Sequence, residues 1–164
     1  MITHIRTSFL AAIALLLLGT ALPLAAQVDK VAMRTSGISC GECAAISEVY
    51  LRRLPGVDAV KISRSAEIVI VTYKAGASFD PWEIRDALDR TEVGVVQFQI
   101  SARGKVQTIG GKRFFIADKN KFALVDNPNV KVPADTLISV EGTVNDKPNP
   151  MELKVLNFKP IPGK

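Results

Sequence analysis

Cys40 and Cys43 are the only cysteines in this chain of 164 residues. They stand in the run Gly37-Ile38-Ser39-Cys40-Gly41-Glu42-Cys43, where a first strand should give way to a first helix. A helix start presents unpaired backbone N–H groups and the positive end of the helix dipole. Both favour thiolate over thiol, and such positions bring a cysteine pKa to about 3.5–7.5. Two intervening residues let both sulfurs face one ion, and Gly37 and Gly41 let the backbone wrap tightly there. Three chemistries are open to the pair. A soft ion content with low coordination, Cu(I) above all, suits two thiolates that lack an imidazole partner. Zinc takes four ligands in a structural site, or three and a water in a catalytic one, which here would need Glu42 or a second protein. Dithiol–disulfide exchange is the second chemistry, natural for an exported protein. The third is a disulfide that only staples the turn, with little entropic gain over so short a loop.

The remaining composition narrows the field. Residues 9–18 are almost unbroken hydrocarbon, preceded by Arg6 and followed by Gly19, Pro23, Ala25 and Ala26. This pattern reads as a secretory signal peptide over residues 1–26, and so predicts a periplasmic or secreted protein. The alternative is an uncleaved anchor, since residues 9–26 approach the shortest span of a bilayer. The only histidine, His4, lies in that leader. A mature chain without imidazole excludes His-based hydrolases and catalytic triads of the Ser-His-Asp kind. The carboxylates Asp80, Glu83, Asp86, Asp89 and Glu92 space out along a second helix as its wet face, and no pair stands out as an acid–base couple. A binding protein with no catalytic step is expected.

Two patterns divide the chain after the leader. Residues 27–100 carry nine basic and ten acidic side chains, whereas residues 101–164 carry eleven and six. In the first part, β-branched runs at 28–35, 57–63, 67–73 and 93–100 read as strands. Residues 42–54 read as a helix stopped by Pro55-Gly56. A second helix opens with Asp80 as N-cap and Pro81 in its first turn, and carries Trp82, Ile84, Ala87 and Leu88 as an apolar stripe. Strand, helix, strand, strand, helix, strand is the ferredoxin-like order, giving an α+β domain over 27–100. The second part has no convincing helix. Strands are expected at 100–109, with a bulge or bend at Gly104, and at 112–117, 121–126, 136–144 and 151–158. Five short strands in so small a space predict a closed barrel over 101–164.

The placement of the cysteine pair resembles that in the heavy-metal-associated domain, the module of copper chaperones and of the N-terminal repeats of metal-transporting ATPases. The matching residues are Gly37, Cys40 and Cys43 after the first strand, Pro55-Gly56-Val57 after the helix, the 57–73 hairpin, and Ile84, Ala87 and Leu88 ahead of Gly94. The resemblance implies that Cys40 and Cys43 hold a soft metal ion, Cu(I) before Hg(II) or Zn(II), and exchange it with a donor or acceptor protein. It also implies that Ile38 serves as the apolar plug beneath the metal loop. Where that family sets Tyr, Phe or Lys beside the sulfurs, Gly94 is followed here by Val95, so a residue that tunes them is missing. Residues 101–164 are similar to an OB-fold domain on the strength of Gly104, Gly110-Gly111 and the 140–144 run. Nucleic acid is not the expected partner, because stacking platforms need exposed aromatics and strand alternation buries at least two of Phe114, Phe115, Phe122 and Phe158. Trp82 is expected to pack against the sheet.

Overall fold

A computed structural model describes residues 25–162. The leader expected over residues 1–26 lies, up to residue 24, outside the described residues. The elements are β1 (Gln27–Ser36), α1 (Gly41–Arg52), β2 (Val57–Ser63), β3 (Ile68–Tyr73), α2 (Pro81–Asp89), β4 (Gly94–Ile109), β5 (Lys112–Ala117), β6 (Asn120–Val125), β7 (Leu137–Asn145) and β8 (Glu152–Pro160). No helix among the described residues is long and apolar enough to cross a membrane.

The four strands among the first six elements form an antiparallel sheet in the order β2-β3-β1-β4, with Val31 opposite Val71 and Met33 opposite Val69. Side chains alternate across such strands, so Val31, Met33, Val69 and Val71 all turn inward and are fully buried. The helices cover that inward face. α2 presents Pro81, Ile84, Ala87 and Leu88 to it, while α1 buries Ala44, Ser47 and Leu51. Asp80 caps α2, its carboxylate accepting from the Trp82 N–H at 2.8 Å. Trp82 itself departs from expectation. It is 67% exposed, because it stands two positions before Ile84, about 200° around the helix from the buried stripe.

β4 runs unbroken through residue 100, where two consecutive strands were expected, so the division anticipated between residues 100 and 101 falls inside one strand. One edge of β4 pairs with β1 from Gly94 to Arg103 and then with β5 from Lys105 to Ile109. The other edge pairs with β7 from Phe98 to Lys105. Gly104 lies where the first edge changes partner. The β4–β7 register passes through it without a shift, so of the bulge or bend expected there no bulge is present in this pairing. Its lack of a side chain serves a close approach instead. A Cβ there would collide with the Ile116 carbonyl and come within 2.8 Å of the Phe115 ring. From this point β4, β5, β6, β8 and β7 close a five-stranded barrel, with β6 and β8 parallel and every other pair antiparallel.

Sheet and barrel share one apolar core. Phe79, between β3 and α2, meets Phe98 edge-on at 5.6 Å and Phe122 of the barrel at 6.5 Å. The side chain of Arg85 lies over Phe98 and donates from Nε and Nη2 to Asp146, just past β7, at 2.7 and 3.0 Å. Phe114, Phe115 and Phe122 are buried and Phe158 is half-buried, in line with the alternation expected along these strands.

Candidate metal centre

Cys40 is the N-cap of α1, with extended backbone angles, and its Sγ accepts the Cys43 N–H at 3.2 Å. The chain turns helical at the next residue, and the Ala44 N–H closes the first turn on the Cys40 carbonyl at 3.0 Å. Both sulfurs therefore stand at the positive mouth of a twelve-residue helix. Cys40 and Cys43 are joined as a disulfide, their Cα atoms 5.2 Å apart. Cys40 is exposed, whereas Cys43 is half-buried and packs against the core. Cys40 is the more exposed residue of the pair.

Local sequence explains why the loop sits where it does. Ile38 is fully buried beneath it, as an apolar plug should be. Gly37 takes a left-handed φ of +89° and passes so near the Glu92 carbonyl that a Cβ would stand 3.1 Å from it. The turn between β2 and β3 holds the loop from the other side. Glu67, itself left-handed at φ 51°, accepts at its carbonyl from the Thr35 N–H at 2.8 Å and the Thr35 hydroxyl at 2.9 Å. Its carboxylate accepts the Gly37 N–H at 3.2 Å. Behind α1, the buried Ser47 hydroxyl and that of Thr91 lie 2.6 Å apart, and Thr91 donates onward to the Leu88 carbonyl at 2.9 Å. With that acceptor fixed, Ser47 is the donor to Thr91, and α1 is tied to the end of α2.

The loop thus has three walls: its own strand-to-helix turn, the β2–β3 turn and the chain entering β4. Sequence reasoning located the first. It read Glu67 only as the start of a strand and left Arg64 inside the 57–73 hairpin, because nothing in a short polar stretch marks which side chain turns back onto another loop. Arg64 does turn back, its Nη1 lying 3.0 Å from where a Cβ on Gly41 would stand. Glu42 is exposed in the first turn of α1. Among the described residues no group of three or more His, Cys, Asp or Glu side chains could hold an ion. The donors gathered here are the two sulfurs.

No family model matches the chain, and no curated protein matches it. Among solved structures, it is similar to the CopZ metallochaperone, at 24% identity over 41% of this chain and 98% of that one, with a TM-score of 0.37. It is likewise similar to the N-terminal domain of PacS from Synechocystis PCC6803, at 23% identity over 40% of this chain and 91% of the other, with a TM-score of 0.34. A third is the yeast copper transporter domain Ccc2a, at 21% identity over 42% and 94% of the two chains and a TM-score of 0.36.

Proposed function

We propose that this is an exported soft-metal-binding protein in which Cys40 and Cys43 carry Cu(I) for trafficking or sequestration, without a catalytic step. The observation that carries the reading is the disposition of the pair: two sulfurs at the mouth of α1, one exposed and one set against the core, with no third donor gathered among the described residues. Two thiolates complete the digonal coordination that Cu(I) accepts, and they fall short of what Zn(II) requires. The placement also agrees with the resemblance of residues 30–100 to heavy-metal-associated domains, and the barrel of residues 101–164 is taken as an OB-type companion.

The disulfide must open before an ion can bind. A thiol reductant, oxidised to its own disulfide, delivers the two electrons and two protons that convert Cys40–Cys43 into two thiols. The ion then forms two metal–sulfur bonds as the two S–H protons leave, so binding releases protons. Exchange begins at Cys40, the more exposed residue of the pair, where a partner's thiolate or thioether enters the coordination shell. α1 stabilises the developing negative charge through its unpaired N–H groups.

Anaerobic titration of the reduced mature protein with Cu(I), Zn(II) and Hg(II), beside the Cys40→Ser/Cys43→Ser variant, tests this. One Cu(I) per chain, lost in the variant, is expected. Absence of sulfur-dependent binding for every ion would overturn it. A second reading, thiol–disulfide exchange, is favoured by one observation: the pair is bonded and Cys40 is an exposed residue. Catalytic turnover of a disulfide substrate would distinguish it, together with a labile reduction potential near the thioredoxin range. A plain adaptor would be indifferent to both cysteines.

A further inference from the structure

The β2–β3 turn supplies what the loop before β4 lacks. Gly94-Val95 brings no polar side chain to the sulfurs, yet the Arg64 guanidinium lies over Gly41, the residue immediately after Cys40. None of the ion pairs among the described residues involves Arg64. A cation resting at the positive end of a helix is unfavourable by itself. It becomes favourable once an anion occupies that end, and reduced Cys40 and Cys43, or the net-negative complex of two thiolates with one Cu(I), is such an anion. Gly41 leaves room for the guanidinium, and Glu67, on the same turn, ties that turn to the cysteine loop by accepting the Gly37 N–H.

Resting on the metal-binding reading above, we infer that Arg64 is the counter-charge of the dithiolate site, a positioning residue that favours the reduced and metal-loaded states over the disulfide. Two measurements on the full mature chain test it. The first equilibrates the pair with glutathione, two glutathione thiols reducing the Cys40–Cys43 bond to a thiol and a thiolate, with one proton released to solvent and one glutathione disulfide left. The second is Cu(I) affinity by competition with a chromophoric chelator. Removing the charge in Arg64→Gln should shift the glutathione equilibrium toward the protein disulfide by about threefold and weaken Cu(I) by a similar factor, the scale of one exposed charge contact. Arg64→Lys should restore most of both. Wild type and Arg64→Gln should converge near 1 M salt, where the Debye length falls to about 3 Å, a response that lost packing would not give. Gly41→Ala, which crowds the guanidinium, should move both readouts in the direction of Arg64→Gln. If Arg64→Gln matches wild type in both, or differs equally at every salt concentration, the inference fails. If wild type binds no Cu(I) through sulfur, the preceding proposal falls, while the glutathione equilibrium still decides the role of Arg64.

Discussion

The side-chain amide of Asn120 takes both backbone polar groups of Phe79. Its Oδ1 accepts the Phe79 N–H at 3.0 Å and its Nδ2 donates to the Phe79 carbonyl at 2.7 Å. Asn120 opens β6 in the barrel, and Phe79 leads into α2, so this buried exchange ties the two halves of the molecule where their aromatic rings meet. Asn120→Ala strands both groups away from water, each worth about 1–3 kcal/mol. A loss of about 2–4 kcal/mol is expected in urea unfolding, read as a lower midpoint with an unchanged slope and with fluorescence and circular dichroism moving together.

The cysteine loop is sensitive to a single methyl group. Gly37→Ala puts a Cβ on a left-handed residue and against the Glu92 carbonyl. The conformation alone costs about 1–2 kcal/mol. Because the displaced segment carries Ile38 and the N-cap Cys40, Cu(I) affinity should fall with stability. Thermal unfolding and chelator competition on the same sample check both.

Asp146 gives the fold a defined acid response. The Arg85 guanidinium, hydrogen-bonded to it, holds its carboxyl below the ordinary carboxylate value, outweighing the opposing effect of burial. A carboxylate with a lowered folded pKa stabilises above its unfolded pKa, and that stability disappears as pH falls through the folded value. Asp146→Asn should therefore cost about 2 kcal/mol at pH 7. The gap to wild type should narrow steadily below about pH 4. Denaturant midpoints measured from pH 7 to pH 2 for both proteins reveal the convergence, and a constant gap would contradict it.

Two aromatics three residues apart should behave as opposites. Phe79 is fully buried between Phe98 and Phe122, and Phe79→Ala should cost about 3–5 kcal/mol. Trp82 stands in solvent, and Trp82→Ala should fall within about 0.5 kcal/mol of wild type. Chemical denaturation monitored by circular dichroism serves both, since it does not depend on the tryptophan.

Much of this was legible in the order of residues. The β-branched runs at 57–63 and 67–73 and the stretch at 112–117 gave strands close to their observed bounds, and Asp80-Pro81 marked the start of α2 because a cap and a donor-free first turn leave few other readings. The place of the cysteine pair at a helix start was legible because it needs only the run of small residues between a strand and a helix. The continuity of β4 was missed for a physical reason. The change in charge at residue 101 suggested a boundary, yet Phe98, Ile100, Ala102 and Val106 keep one inward period straight across it. Trp82 was grouped with an apolar stripe by its chemistry when its angular position excluded it. Arg64 and Glu67 were illegible because their partners are reached only after the β2–β3 turn folds back beside another loop, a relation between segments distant in the chain.

The shared strand β4 has a consequence for how the chain can be cut. Between Phe98 and Arg103 both of its edges are bonded, to β1 on one side and β7 on the other. A protease needs a stretch of backbone it can draw out into its own groove, and the junction of sheet and barrel offers none. Limited digestion of the native molecule should spare that junction and nick the 126–136 loop first, so separate fragments of sheet and barrel would emerge only after global unfolding.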